Sequence, residues 1–111
     1  SAATSDETDW AEIAALYDLL LRAEPSPVVE LNRAVAIAMR DGPEAGLRLI
    51  EALLARGELG RFRYAHSARA DLLRRLGRGD EARAAYAAAL EFTEQEAERR
   101  FIEGRIRGLS N

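Results

Sequence analysis

The chain has 111 residues, a net charge of −3, a hydrophobic fraction of 48% of which little is aromatic, and no cysteine. This length suits one domain, the lack of cysteine excludes disulfides and thiolate metal sites, and the negative charge argues against nucleic-acid binding by this chain. Neither a run of 18 apolar residues nor a signal-peptide pattern occurs, so we expect a soluble, cytoplasmic protein without membrane contact.

The N-terminal part of the chain predicts a tail and a first helix. Residues 1–8 are small and polar, and we expect them to form a disordered tail before a single domain over residues 9–111. Thr8 or Asp9 is a suitable N-cap for a helix that ends near Ala23. The predicted apolar stripe of this helix consists of Ile13, Leu16, Tyr17, Leu20 and Leu21.

Two prolines separate the first helix from the second. Residues before proline avoid the α region, so the stretch Glu24-Pro25-Ser26-Pro27 ends the first helix. Ser26 then caps a helix that begins at Pro27, where the missing N–H costs nothing, and that runs to about Arg40. A third helix, from Pro43 to about Ala55, follows the turn around Gly42.

The second half of the chain predicts three further helices, over about residues 62–76, 80–92 and 94–109. We expect Asp80 to cap the fifth helix. Thr93 is expected to cap the sixth helix in a capping box with Glu96, which lies three residues later. The residues expected to face inward from the sixth helix are Phe101, Ile102, Ile106 and Leu109.

The charge is distributed unevenly along the chain. Residues 1–60 carry 5 arginines and 11 acids, whereas residues 61–111 carry 11 arginines and 8 acids. In the simpler interpretation, the arginines lie on helix surfaces and keep those surfaces solvated. The alternative interpretation is a basic face that meets an acidic partner.

Equivalent dipeptides recur in two of the predicted hairpins. Glu44-Ala45 and Glu81-Ala82 each lie just inside a helix, after a turn that contains glycine, and are 37 residues apart. This spacing is close to the period of two-helix solenoid repeats. The best-matching repeat contains Leu73, Gly77, Ala82, Tyr86 and Ala89. The pattern resembles the tetratricopeptide repeat family, which implies an all-α, right-handed solenoid of about six antiparallel helices, with hairpin repeats and a C-terminal capping helix.

A wider resemblance covers nearly the whole chain. The strings that carry it are Pro25-Ser26-Pro27, Leu31-Asn32-Arg33-Ala34-Val35-Ala36, Asp41-Gly42-Pro43 and Ala68-Arg69-Ala70-Asp71-Leu72-Leu73. At these spacings they resemble the C-terminal extension of a subfamily of bacterial extracytoplasmic-function sigma factors, within the sigma-70 family. The resemblance implies a domain that regulates transcription initiation by contacting its own N-terminal sigma regions, RNA polymerase or a regulatory protein. The DNA-binding and polymerase-binding sigma regions are absent from this sequence, so we expect no nucleic-acid binding by the fragment itself.

Five polar residues are candidates for a partner or ligand groove, namely Asn32, Arg33, His66, Arg69 and Asp71. Asn32 and Arg33 interrupt an otherwise apolar helix, which lowers stability unless their polar groups are paired. In a structural interpretation, Arg33 forms an ion pair with Asp71 or Asp18 and joins neighbouring hairpins.

The same residues also permit a functional interpretation, in which Asn32, His66 and Arg69 line the concave face formed by the first helices of successive repeats. A single histidine without cysteine cannot build an ordinary zinc site, and no serine and acid are patterned around it for nucleophilic catalysis. We therefore predict a non-enzymatic interaction domain without a cofactor. The alternative is a small-molecule sensor or scaffold, with a groove around Arg33, His66 and Arg69 that binds an anionic ligand or a peptide.

Overall fold

The structure, a computed structural model, describes residues 8–109 and consists of helices and their connections, with no strand in that range. The helices are α1 (Trp10–Ala23), α2 (Pro27–Asp41), α3 (Pro43–Ala55), α4 (Arg63–Arg75), α5 (Gly79–Glu91) and α6 (Glu96–Arg107). The prediction of an all-α chain with six helices is confirmed. The predicted tail, except for Thr8, lies outside the described residues. No helix in residues 8–109 has both the length and the apolar character that crossing a membrane requires.

The first two helix starts form as their cap residues predict. The carboxylate of Asp9 accepts a hydrogen bond of 3.0 Å from the backbone N–H of Glu12. The hydroxyl of Ser26 accepts one of 3.3 Å from the backbone N–H of Val29, and Pro27 occupies the first helical position. Local chemistry is sufficient here, because each cap side chain reaches an N–H group only three residues ahead.

The predicted cap of α5 is wrong. The helix begins at Gly79, with Arg78 as its N-cap and no side-chain cap hydrogen bond. Asp80 therefore lies inside the first turn, where its carboxylate still complements the helix dipole and pairs with Arg83 at 3.4 Å. The N-cap lies two residues before the predicted one. α4 ends at Arg75, and the N–H of Arg78 closes the turn that follows by donating to the carbonyl of Leu73.

The predicted capping box of α6 is also wrong. The helix begins at Glu96, and its N-cap is Gln95. Thr93 is buried, and its hydroxyl donates a hydrogen bond of 2.6 Å to the carbonyl oxygen of Ala89 in the last turn of α5. That carbonyl also accepts from the backbone N–H of Phe92. Because the Thr93 hydroxyl bonds the end of α5, it is not available to cap α6.

Each helix packs against the next one along the chain, most extensively α4 with α5 and α2 with α3, and α2 also contacts α4. The main core is formed by residues from all five helices from α2 through α6. Its largest fully buried side chains are Leu47, Ile50, Leu73 and Tyr86. A second, smaller cluster joins α1 to α2. Its buried members are Ala14, Ala36 and Ile37, with Trp10, Ile13 and Tyr17 partly buried against them.

Several predicted core residues are exposed instead. Leu16 and Leu20 are each 54% exposed, and Phe101 is 62% exposed. The main neighbour of α1 is α2, so only one narrow strip of its apolar surface is covered. Phe101 points away from the core contact made by Ile102, the buried residue of α6.

Candidate functional site

A groove crosses the surface formed by α2, α4 and α6 and has a volume of about 590 Å³. Its apolar lining consists of Leu31, Val35, Ala68, Ala97, Phe101 and Ile102. Phe101 and Val35 are exposed, whereas Leu31 and Ile102 are buried beneath them. Apolar surface that remains open to solvent in a concave site is typical of ligand and partner binding.

A hydrogen-bonded network of Asp71, Tyr86 and Arg74 borders the groove. The Tyr86 hydroxyl donates a hydrogen bond of 2.6 Å to Oδ1 of Asp71 and accepts one of 3.3 Å from Nε of Arg74. Arg74 also contacts Oδ1 of Asp71 at 3.5 Å. Burial of the ring, followed by the hydrogen bond to Asp71, raises the pKa of Tyr86 above its ordinary value. The network therefore holds the phenol of Tyr86 and the carboxylate of Asp71, paired with Arg74, against the groove.

The raised pKa of Tyr86 predicts a specific loss of stability at alkaline pH. An acid that is harder to ionise in the folded state than in the unfolded state contributes stability that is fully present below its unfolded pKa, about 10, and that is lost as pH rises through the folded pKa. Between pH 9 and 11.5 we therefore expect a steeper fall in the urea midpoint for the natural chain than for Tyr86→Phe. The other tyrosines are common to both chains, so equal slopes would contradict this assignment.

A second carboxylate at the groove is paired across two helices. Nε of Arg63 in α4 donates a hydrogen bond of 3.0 Å to Oε2 of Glu98 in α6. The same guanidinium lies 4.4 Å from the ring centroid of Tyr64, another groove residue. This contact connects the two walls of the groove, α4 and α6, which are not consecutive helices in the chain.

The structure brings two of the five predicted site residues to the groove, namely Asn32 and Asp71. Arg33 instead forms an ion pair with Asp18 of α1, with 2.7 Å between Nε and Oδ1. This confirms the structural interpretation of Arg33, with Asp18 as the partner. The ion pair links α1 to α2 on a different surface from the groove.

His66 and Arg69 also differ from their predicted position, since neither lines the groove. Nε2 of His66 lies 2.7 Å from the carbonyl oxygen of Gly60, and its ring stacks on Phe92. Arg69 donates a hydrogen bond of 3.0 Å from Nε to Glu51 of α3. Both side chains therefore join neighbouring elements. Arg33, His66 and Arg69 do not come together into an anion site at the groove. No cluster of three or more acidic or histidine side chains suited to a metal ion occurs within residues 8–109.

Sequence reasoning missed the groove residues Tyr64, Glu98 and Phe101. Phe101 adjoins Ile102 in the sequence, and two adjacent apolar residues on a helix do not reveal which one is buried. The sequence signal at Tyr64 is an aromatic residue directly after an arginine in the first turn of α4, and the structure shows that this aromatic is exposed.

Comparison with known proteins finds a relative that matches most of this chain. An uncharacterized protein of Rhizobium meliloti (strain 1021) is 46% identical to this chain over 97 residues. The match covers 87% of this chain but 22% of the relative, so the chain spans about a fifth of the length of that protein. No protein-family model matches the chain, and no solved structure matches it.

Proposed function

We propose that this chain is the regulatory C-terminal domain of an extracytoplasmic-function sigma factor and that it acts by binding a protein segment in its groove. The observation that carries the proposal is the groove itself, an open apolar surface built from three helices. Its two acids already have partners, Asp71 in Tyr86 and Glu98 in Arg63. Such a surface suits binding, and we assign no catalytic residue to it.

We further propose that the helices form a tetratricopeptide-like solenoid. The starts of α2 and α4, at Pro27 and Arg63, are 36 residues apart, and so are the starts of α3 and α5, at Pro43 and Gly79. This shift supports two successive hairpin repeats, since tetratricopeptide repeats have a period of about 34 residues. In such a solenoid, α2, α4 and α6 are first helices of successive units, and first helices line the concave binding surface.

The sigma-factor part of the proposal rests on the sequence resemblance described above, and the lengths are compatible with it. A relative that is more than four times as long as the matched segment has room for DNA-binding and polymerase-binding regions. The partners we propose are the N-terminal sigma regions of the same protein, RNA polymerase or a regulatory protein, all in the cytoplasm. Promoter DNA would be bound by those other regions.

Deletion of this domain from the full-length protein tests the proposal. We expect transcription from a target promoter, measured with purified RNA polymerase and in cells, to change when the domain is removed. Regulatory couplings of this kind typically correspond to about 5–150-fold changes in affinity, so a several-fold change in output is expected. The full-length protein with the exposed Arg48→Gln substitution on α3 serves as a control. Identical output with and without the domain, under every growth condition, counts against the proposal.

A second candidate function is the sensing of a small molecule, and the size of the groove favours it. The volume of about 590 Å³ lies within the range of small-ligand sites. A ligand that binds only the folded state must raise the melting temperature. A thermal-shift screen with metabolites therefore separates the two functions: a stabilising compound that fails to act on Phe101→Ala indicates a sensor.

A further inference from the structure

A second pocket lies directly beside the groove, on the other side of Phe101. It has a volume of about 370 Å³ and is lined by Arg74 of α4 and by Arg100, Phe101, Gly104, Arg105 and Gly108 at the C-terminal part of the chain. Phe101 also lines the groove, so its ring forms a wall that the two sites share.

Three of the residues that line this pocket are arginines and none is an acid, and within the described part of the chain only Arg74 among them has an acidic partner. Arg100 forms no ion pair or hydrogen bond there, and Arg105 makes only a contact with the Phe101 ring, 5.0 Å from its centroid. Nε of Arg105 is buried without a hydrogen-bond partner. Arg74 is occupied by Tyr86 and Asp71.

The carboxylates of the neighbouring groove are in the opposite situation. Asp71 accepts hydrogen bonds from Tyr86 and Arg74, and Glu98 accepts one from Arg63. Because both acids of the groove already have partners, the residues lining this pocket whose charge is left unpaired are Arg100 and Arg105. Electrostatic complementarity therefore favours a negatively charged occupant.

We propose that Arg100, Arg105 and Phe101 form the docking site of an acidic peptide segment that has an apolar anchor residue. The planar guanidinium groups bind peptide carboxylates through paired N–H donors. The anchor lies on the Phe101 ring and enters the groove beside Val35. This inference rests on the proposed function, because it names the chemistry of the protein segment that the groove holds.

Selection from a random 12-residue peptide display library on the 111-residue chain tests the proposal without a known partner. We expect the selected peptides to combine Asp or Glu with a nearby Leu, Ile or Phe. Fluorescence polarisation of labelled copies is expected to show binding that weakens as salt is raised from 0.05 to about 0.5 M, because exposed charge contacts are screened.

Two pairs of variants locate the binding. The double variant Arg100→Gln and Arg105→Gln is expected to weaken peptide binding about tenfold, since two partly exposed charge contacts are lost. Arg48→Gln, an exposed arginine on α3, is the matched control and is expected to have no effect. Phe101→Ala should likewise weaken binding, whereas Leu19→Ala, an exposed residue of α1, should not. The substituted side chains are exposed or unpaired, and circular dichroism checks that each variant is folded.

Other results would overturn the inference. Selected peptides without acidic residues, unchanged binding by the double arginine variant, or no selected peptides at all would each exclude an acidic segment here. Tighter, arginine-dependent binding of single-stranded RNA or of inorganic phosphate would assign the pocket to a different ligand. None of these outcomes decides whether deletion of the domain alters transcription, so the failure of this inference is distinguishable from the failure of the proposed function.

Discussion

The substitution Tyr86→Ala is expected to lower the free energy of unfolding by about 3–5 kcal/mol, the usual range for removing a buried aromatic ring. Tyr86 is 2% exposed and is among the largest fully buried side chains. It belongs to the core cluster that joins α4 and α5 to α2, α3 and α6. A small domain has only about 5–15 kcal/mol of stability in total, so this loss brings the chain close to unfolding at room temperature. Urea denaturation followed by circular dichroism measures the change.

Tyr86→Phe separates the contribution of the ring from that of the hydroxyl. It retains the buried ring and removes the donor to Asp71, and we expect a loss of about 1 kcal/mol. If the alanine and phenylalanine variants lose similar stability, the ring does not hold the core as described.

Gly46→Ala is expected to destabilise the chain by about 1–3 kcal/mol, even though alanine is normally the better helix former. Gly46 lies in α3, in close contact with the backbone of α2. A methyl group there would overlap the Cβ of Ala38 and would lie 2.8 Å from the carbonyl oxygen of Ala34. The two helices would have to move apart, which would weaken the most closely packed part of their interface. Thermal denaturation measures the effect as a fall in Tm of several degrees.

Gly60→Ala provides the matched control for Gly46→Ala. Gly60 lies in the connection before α4, and an added Cβ would meet no atom within 4 Å. We expect no loss of stability, because the substitution removes backbone freedom from the unfolded chain without creating a clash. Equal destabilisation by both substitutions would show that a general effect of glycine, rather than helix contact, is responsible.

The helices were predictable from the sequence because the signals that start and stop them act over a few residues. Pro25 and Pro27 end one helix and open the next, and the caps Asp9 and Ser26 each bond an N–H three residues ahead. The prediction failed at Thr93 because its hydroxyl donates a hydrogen bond to the preceding helix instead of capping the next one.

The candidate site was only partly predictable. Asn32, which was expected at a groove because it is a polar residue on an apolar helix, lines the groove in the structure. His66 and Arg69 were assigned to the groove by the same reasoning, yet they pack against other elements. Periodicity gives the side of a helix on which a residue lies, but it does not identify the neighbour on that side.

The sequence by itself determined that the chain is helical, where the helices break, and that consecutive helices pair. Only the tertiary structure decided which apolar residues remain exposed, so that Phe101 lines a groove while Ile102 is buried. It also decided which charges are neutralised: Arg33 meets Asp18, whereas Arg100 meets no acid among residues 8–109. The physical reason is the distance along the chain over which each interaction acts. Caps and prolines act within one turn of the backbone, whereas burial and ion pairing depend on contacts between residues that are far apart in the sequence.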